Sequence, residues 1–273
     1  GNLKRDPHRL HAKLFYMQTK NLSIHRPSKR PLLTENTFGH YLAGLIDGSG
    51  HFSTIGHIVI SFNLRDKRDA YSIRSLLGYG KVRLVKDKNA VNLIISNKTG
   101  VKHVAALVRD KLKHSVRISQ YNSRIYELGF SSRKTSLNTT IDWETSWFAG
   151  FCDADGHLRI DIPWREHRNS YEVQLLCQVD QKDDILLKQI RDKFGGYLGY
   201  RASQDTYYYS SVSFKGIYHI LRYFDRYSLQ LTQSYLRYTI LRKSYLIVQK
   251  KQHLTVKGLD KIFTYKDKLK EMI

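Results

Sequence analysis

The chain has 273 residues, 41% of them hydrophobic, enough to bury a sizeable core in one or two domains. Its 46 Lys and Arg against 24 Asp and Glu leave a formal charge of +22, a surface excess whose self-repulsion a polyanionic partner relieves. No apolar run reaches the roughly 18 residues of a bilayer span, no signal-peptide pattern is present, and Cys152 and Cys177 have no partners at zinc or disulfide-framework spacing; these features argue against a membrane protein and for a reduced compartment.

In chain order, residues 1–34 read as an irregular basic arm (Lys4, Arg5, Arg9, Lys13, Arg26, Lys29, Arg30) that holds three of the four prolines. A helix follows, with Thr37 as its expected N-cap. Ile58, Ile60 and Phe62 alternate as in a half-buried strand. A helix is predicted near 66–77, strands near 79–85 and 90–96, and a helix near 100–112. The polar stretch 131–141 reads as a linker. The same order then returns: a helix after Asp142, an alternating strand through Tyr171, Val173, Leu175, Cys177 and Val179, a helix near 182–194, strands near 197–202 and 207–214, and a helix near 216–226. One more helix is predicted over 230–249, and 251–273 is left as a basic tail. The expected domains are therefore repeats at 35–130 and 142–250.

The repetition extends to the residues themselves. FGHYLAGLIDGSGHF (38–52) and ETSWFAGFCDADGHL (144–158) align with Leu42 on Phe148, an offset of 106 residues. Downstream, Phe62–Lys67 matches Cys177–Lys182 and Leu76–Gly80 matches Lys193–Tyr197, with a slip of about ten residues that an inserted loop would cause. Ala43, Gly44, Ala149 and Gly150 lack bulk, so two such helices can pack backbone to backbone. Leu42, Leu45, Ile46, Phe148, Phe151 and Cys152 fill the rest of the contact. Cys152 takes the place of Ile46 and reads as a small hydrophobe, not a reactive thiol.

These two segments resemble the LAGLIDADG signature, and the chain is similar to the two-motif homing endonuclease and maturase family, most of all to fungal mitochondrial cytochrome b group I intron maturases. The resemblance spans about residues 35–250. It implies an α+β fold of two pseudo-symmetric αββαββα repeats, with motif helices at the interface and two antiparallel, saddle-shaped sheets. It also implies that the last acidic position of each motif ligates metal, with Mg²⁺ as the ion. Here those positions are Ser49 and Asp155, with Gly48 and Ala154 beside them, while Asp47 and Asp153 match the family's more structural acids. Two like-charged helix ends need cations between them, and hard divalent ions on oxygen ligands can activate water at a phosphodiester. Ser49 departs from this pattern, because a hydroxyl is a neutral and weaker ligand. The family's basic residue ahead of the following helix is also missing from Ser228–Gln233, where none occurs before Arg237.

The expected strands offer Lys81, Arg83, Lys86, Asn92, Arg159, Arg165, Gln174 and Arg201 for reading nucleic acid, with Tyr208 alone or Tyr207 and Tyr209 together for stacking on bases. With one acid missing and the charge kept, the expected function is an RNA maturase that binds a group I intron and promotes its splicing. The alternatives are a homing endonuclease or nickase on double-stranded DNA, or a DNA binder that does not cut. The resemblance further implies mitochondrial residence, leaves room for a protein splicing cofactor, and a single chain with both motifs favours a monomer.

Overall fold

In the computed structural model, which describes residues 20–272, two αββαββα units face each other through their first helices. The first unit runs α1 (Glu35–Ser49), β1 (Gly50–Phe52), β2 (Ile58–Asn63), α2 (Lys67–Leu77), β3 (Lys81–Leu84), β4 (Ala90–Ile95) and α3 (Lys98–Val108), then adds α4 (Ser115–Tyr121). The second runs α5 (Trp147–Asp155), β5 (Gly156–Asp161), a ribbon of β6 (Trp164–Arg165) and β7 (Ser170–Tyr171), then β8 (Gln174–Gln181) and α6 (Ile185–Phe194). It continues with β9 (Tyr197–Arg201), β10 (Thr206–Ser211), α7 (Phe214–Arg226), α8 (Thr232–Gln249) and α9 (Val256–Glu271). The two four-stranded sheets share one antiparallel order, β1-β2-β4-β3 and β5-β8-β10-β9. Pairing sets the equivalence of the halves: Gly50 opposes Ile60, and Gly156 opposes Val179. Ile60 therefore corresponds to Val179, and the residue-pattern match of Phe62 with Cys177 is out of register. The inserted loop behind the slip is the β6–β7 ribbon.

Each motif helix passes straight into a strand at a glycine, Gly50 or Gly156, whose backbone is extended. Strands β1 and β5 escaped the alternation pattern because β1 is only three residues long and β5 begins inside the motif. The cap of α1 is Thr34 rather than Thr37: its hydroxyl accepts the Thr37 N–H at 3.1 Å. The second helix begins at Trp147, after Ser146. Asp142 instead closes a local turn by accepting the Glu144 N–H at 3.0 Å.

The centre of the molecule is the contact of α1 with α5. A Cβ on Gly44 would fall on the Trp147 carbonyl, and one on Gly150 would fall on the Tyr41 carbonyl. Close to the helix ends, a Cβ on Gly48 would collide with that of Ala154. Leu42, Ala43, Leu45, Ile46, Phe148, Ala149 and Phe151 are all buried there. Dispersion rewards such close approach, and no larger residue permits it.

Both ends of the chain depart from the sequence reading. Residues 251–273 are not a tail, since α9 occupies 256–271 and buries Ile262 and Leu269. The described part of the arm, 20–33, lies against the second unit although it precedes the first. Leu22 is buried, its N–H donates to Gln249 at 2.8 Å, and the Arg30 N–H donates to the Ser228 hydroxyl at 2.8 Å. Lys4, Arg5, Arg9 and Lys13 lie outside the described residues.

Replacing Gly150 by Ala should cost on the order of 3 kcal/mol or abolish soluble expression, since backbone faces the new methyl. Gly129→Ala, at a turn with φ of 79° and open space around it, should cost only about 1 kcal/mol. Urea unfolding of the two variants measures the contrast, and equal losses would count against the close-packing account.

Candidate functional site at the paired helix ends

Pseudo-symmetry makes the aspartates before the helix ends into crossed anchors. The Tyr41 hydroxyl of α1 donates to Asp153 of α5 at 2.6 Å. Reciprocally, the Trp147 indole of α5 donates to Asp47 of α1 at 2.8 Å. Each carboxylate also receives the chain that starts the next helix. Asp47 accepts the Lys113 N–H at 2.7 Å, and Asp153 accepts those of Gln230 and Leu231 at 2.7 and 3.2 Å. Asp47 and Asp153 are buried. Burial raises their pKa values from 3.8 to about 6 and about 7 respectively, against the pull of these donors. Both residues therefore hold the halves together and are not open to a substrate. Tyr41 and Trp147 were not among the sequence candidates, although each stands two residues before the Ala-Gly pair of its helix.

The next motif positions differ between the halves. The Ser49 hydroxyl donates to the Ser61 carbonyl at 2.9 Å, and the Leu45 carbonyl lies at 3.4 Å. It is thus committed to the backbone of its own half. Asp155 has one carboxylate oxygen bound by the Gln181 amide. Its pKa is raised to about 7, chiefly by burial; the neighbouring Asp180 adds to the rise, and Arg117 and His114 oppose it. His114, on α4's N-terminal side, also pairs with Asp183 at 3.0 Å. Arg117 reaches this region from α4, and its Nε is buried without a partner. Only the tertiary structure brings Gln181, His114 and Arg117 to the helix ends, because all three come from elements remote in sequence.

Of the proposed metal positions, Asp155 alone carries a charged donor, since Gly48 and Ala154 can offer only backbone oxygen. No group of three or more His, Cys, Asp or Glu able to hold a metal ion occurs among the described residues. One carboxylate that shares an oxygen with Gln181, with a hydroxyl turned toward carbonyls at the equivalent position of the other helix, does not fit a two-ion phosphodiester centre, whose cations need several anionic oxygens.

The sheet faces turned away from the helices sort the nucleic-acid candidates. On the first sheet Arg83, Asn92 and Ser61 lie in one row across β3, β4 and β2, with Lys81 in the row beside it. Among the described residues neither Lys81 nor Arg83 has a carboxylate partner. Lys86 is not on a strand; it sits in the β3–β4 turn. On the second sheet Arg159 pairs with Asp161 at 3.2 Å, and Arg201 pairs with Asp180 at 3.1 Å. Gln174 stands opposite Asp161 on the same face. Arg165 belongs to the ribbon, where it pairs with Glu172 at 2.6 Å. The tyrosine run resolves by its alternation. Tyr209 is fully buried and its hydroxyl donates to the Gly195 carbonyl, and Tyr207 packs on the same core. Tyr208 points to the other face, under the Arg201 guanidinium at 4.2 Å from the ring centre. Tyr207 and Tyr209 are thereby withdrawn as base-stacking residues, and Tyr208 remains.

Comparison with known proteins agrees with this architecture. The pattern of the LAGLIDADG endonuclease family matches residues 148–245. An uncharacterized cox1 intron-2 protein of 37.2 kDa from Schizosaccharomyces pombe is 43% identical over 249 residues, 89% of this chain and 76% of that protein. The chain belongs to the LAGLIDADG family. It is also 26% identical over 193 residues to the intron-encoded RNA maturase bI4 of Saccharomyces cerevisiae, a match that covers 69% of this chain but 29% of the maturase. The fold is that of the LAGLIDADG meganucleases: I-CpaMI, solved bound to uncleaved DNA, superposes with a TM-score of 0.65 at 17% identity, over 84% of this chain and 98% of that one.

Two measurements test this description of the LAGLIDADG helix ends. Tyr41→Phe leaves Asp153 without its cross-helix donor and should cost about 1–3 kcal/mol in urea unfolding. Because the pKa of Asp155 is raised on folding, the stability that goes with its protonated form is complete below pH 3.8 and is lost as pH rises through about 7. Asp155→Asn cannot ionise, so it should be more stable than the parent at pH 8 by on the order of 2 kcal/mol, with the gap closing by pH 4. A gap that grows toward acid would reverse the assignment.

Proposed function

We propose that this LAGLIDADG protein is an intron-encoded RNA maturase, which binds a group I intron and stabilises its spliceable fold without cutting DNA on both strands. The observation that carries this reading is the state of the helix ends. Ser49 turns its hydroxyl into its own backbone and Asp155 is bound by Gln181, while the charge of +22 and both sheets are kept. Phosphodiester cleavage by paired metal ions needs an acid from each helix, and position 49 supplies none, whereas stabilising a folded RNA needs only a shaped, cationic surface. The similarity to the bI4 maturase supports the same reading.

The physical mechanism is linkage. A rigid basic surface that binds the compacted intron, and not its open forms, shifts the RNA toward the compacted state by mass action, and neutralised phosphates make the binding steeply salt-dependent. The reaction itself belongs to the RNA, so no side chain of the protein needs to touch the reacting atoms. On the saddle, Lys81, Arg83 and Asn92 of the first sheet and Arg159, Gln174, Arg201 and Tyr208 of the second are the contacts we assign. Both motif helices reside in one chain, so the pairing that a dimer would provide is internal, and we assign a monomer. We also assign residence in the mitochondrion, which the similarity to a cox1 intron-encoded protein supports.

A DNA nickase is the second reading, favoured by the carboxylate retained at Asp155. The deciding experiment titrates the protein in Mg²⁺ against the intron RNA that carries this reading frame and against intronless duplex DNA of the insertion site. The maturase reading requires tight RNA binding that accelerates splicing, with DNA left intact and Asp155→Asn fully active in splicing. A single-strand nick lost in Asp155→Asn, with splicing unaffected by the protein, would establish the nickase.

A further inference from the structure

Helix α9 lies beyond the stretch that matches the family, which ends at 245. It returns beside β5, the edge strand of the second sheet, and among the described residues no such returning helix lies beside β1. In the first half the outer edge of β1 is closed by α4 and the turn after it: Phe52 donates its N–H to Gln120 at 3.1 Å and accepts from Arg124 at 2.7 Å. The chain then leaves for the linker. In the second half Arg237 of α8 takes the corresponding place and donates to the Leu158 carbonyl of β5 at 3.3 Å. Its other amino group donates to the Leu269 carbonyl of α9 at 2.9 Å. From the opposite half, Arg65 donates to the Met272 carbonyl at 3.0 Å. Two arginines thus fasten the C-terminal end of α9 through carbonyls that a helix leaves unpaired and partly negative.

Between α9 and β5 this arrangement leaves a groove of about 610 Å³. Arg65, Arg159, Arg237, Lys266 and Lys270 line it together with His157, and its acidic members are Asp161 and Asp180. Both acids are already paired, with Arg159 and Arg201 respectively. Among the described residues Arg65, Arg237, Lys266 and Lys270 therefore face one space with no carboxylate of their own. Burial lowers the pKa of Arg237, and the charge of Arg65 lowers it further, which is the mark of cations held close without a counter-ion. Such crowding is relieved when an anion enters, and forked guanidiniums beside mobile ammonium groups suit phosphate oxygens.

We propose that the groove between α9 and β5 binds the phosphodiester backbone of the intron RNA, extending the second half of the saddle along a strand that leaves its edge. This rests on the maturase reading for the identity of the nucleic acid, and on the groove alone for the phosphates. Among the described residues α4, and not a helix like α9, closes the β1 edge of the first half, so the bound RNA is gripped unequally by two otherwise similar halves.

The test reverses charge on one helix in two places. Lys266→Glu/Lys270→Glu changes the groove, whereas Lys257→Glu/Lys261→Glu makes the same change at exposed positions of α9 away from it. Affinity for the intron RNA and for insertion-site duplex DNA is measured from 50 to 300 mM KCl, with far-UV melting to verify folding. The groove pair should raise the RNA Kd roughly tenfold near 100 mM salt and lower the salt slope by about 2; the control pair should change Kd by less than about threefold. Should the Glu pair fail to fold, Lys266→Gln/Lys270→Gln must still lower the slope by about 2 with the control unchanged. Equal losses from both pairs, or none from the groove pair, overturn the groove. Losses on DNA alone overturn its assignment to RNA. A parent protein that fails to bind the intron RNA at all overturns the maturase reading instead, which keeps the two failures apart.

Discussion

Two helices meet here at backbone distance, and the rest of the molecule is arranged around that contact. Gly44 and Gly150 each leave room for a carbonyl of the opposite helix, at Trp147 and Tyr41. The same two residues then send their polar side-chain tips across the interface to Asp47 and Asp153. Close packing therefore positions the crossed donors, and the crossed donors make burial of two acids tolerable. In turn each acid receives the backbone that opens the next helix, α4 or α8. A larger residue at either glycine would disturb all of these contacts at once.

This geometry also explains why losing one acid did not undo the fold. Asp47 and Asp153 bear the structural burden, whereas the positions after them lie at the rim of the contact. Serine at position 49 satisfies its hydroxyl with a carbonyl of β2, so the substituted side chain is not itself left unpaired. Charge chemistry at the helix ends could be dismantled without touching the interface that organises the sheets. The scaffold keeps its two sheets after such a change, and the additions of α9 and the ribbon make the second half unlike the first.

Much of this is legible in the amino-acid sequence. The doubled motif, the small residues at its centre, the strand and helix order and the positive charge are all local patterns or totals, and local patterns survive in one dimension. The odd residue at 49 was legible for the same reason, since it stands beside its own repeat. The misplaced features share a different cause. Thr34 and Thr37 are both sound caps by type, and backbone geometry selected the first. The Phe62 to Cys177 match followed residue type, while hydrogen-bond register follows strand pairing across the ribbon. Tyr207, Tyr208 and Tyr209 are identical in sequence, and only the direction of the sheet's core face separates Tyr208 from the two that pack inward.

The sequence by itself determined that two related halves pair through small-residue helices, that one half lacks an acid, and that the chain carries a large positive excess. Tertiary structure alone decided what surrounds the remaining acid, because Gln181, His114 and Arg117 arrive from separate elements whose approach no spacing encodes. It also decided the course of both ends of the chain. Residues 20–33 bind the second unit rather than the first they precede, and α9 folds back beside β5. The physical reason is the same in both cases: hydrogen bonds and buried contacts between segments as much as 227 residues apart depend on where the intervening chain has already packed.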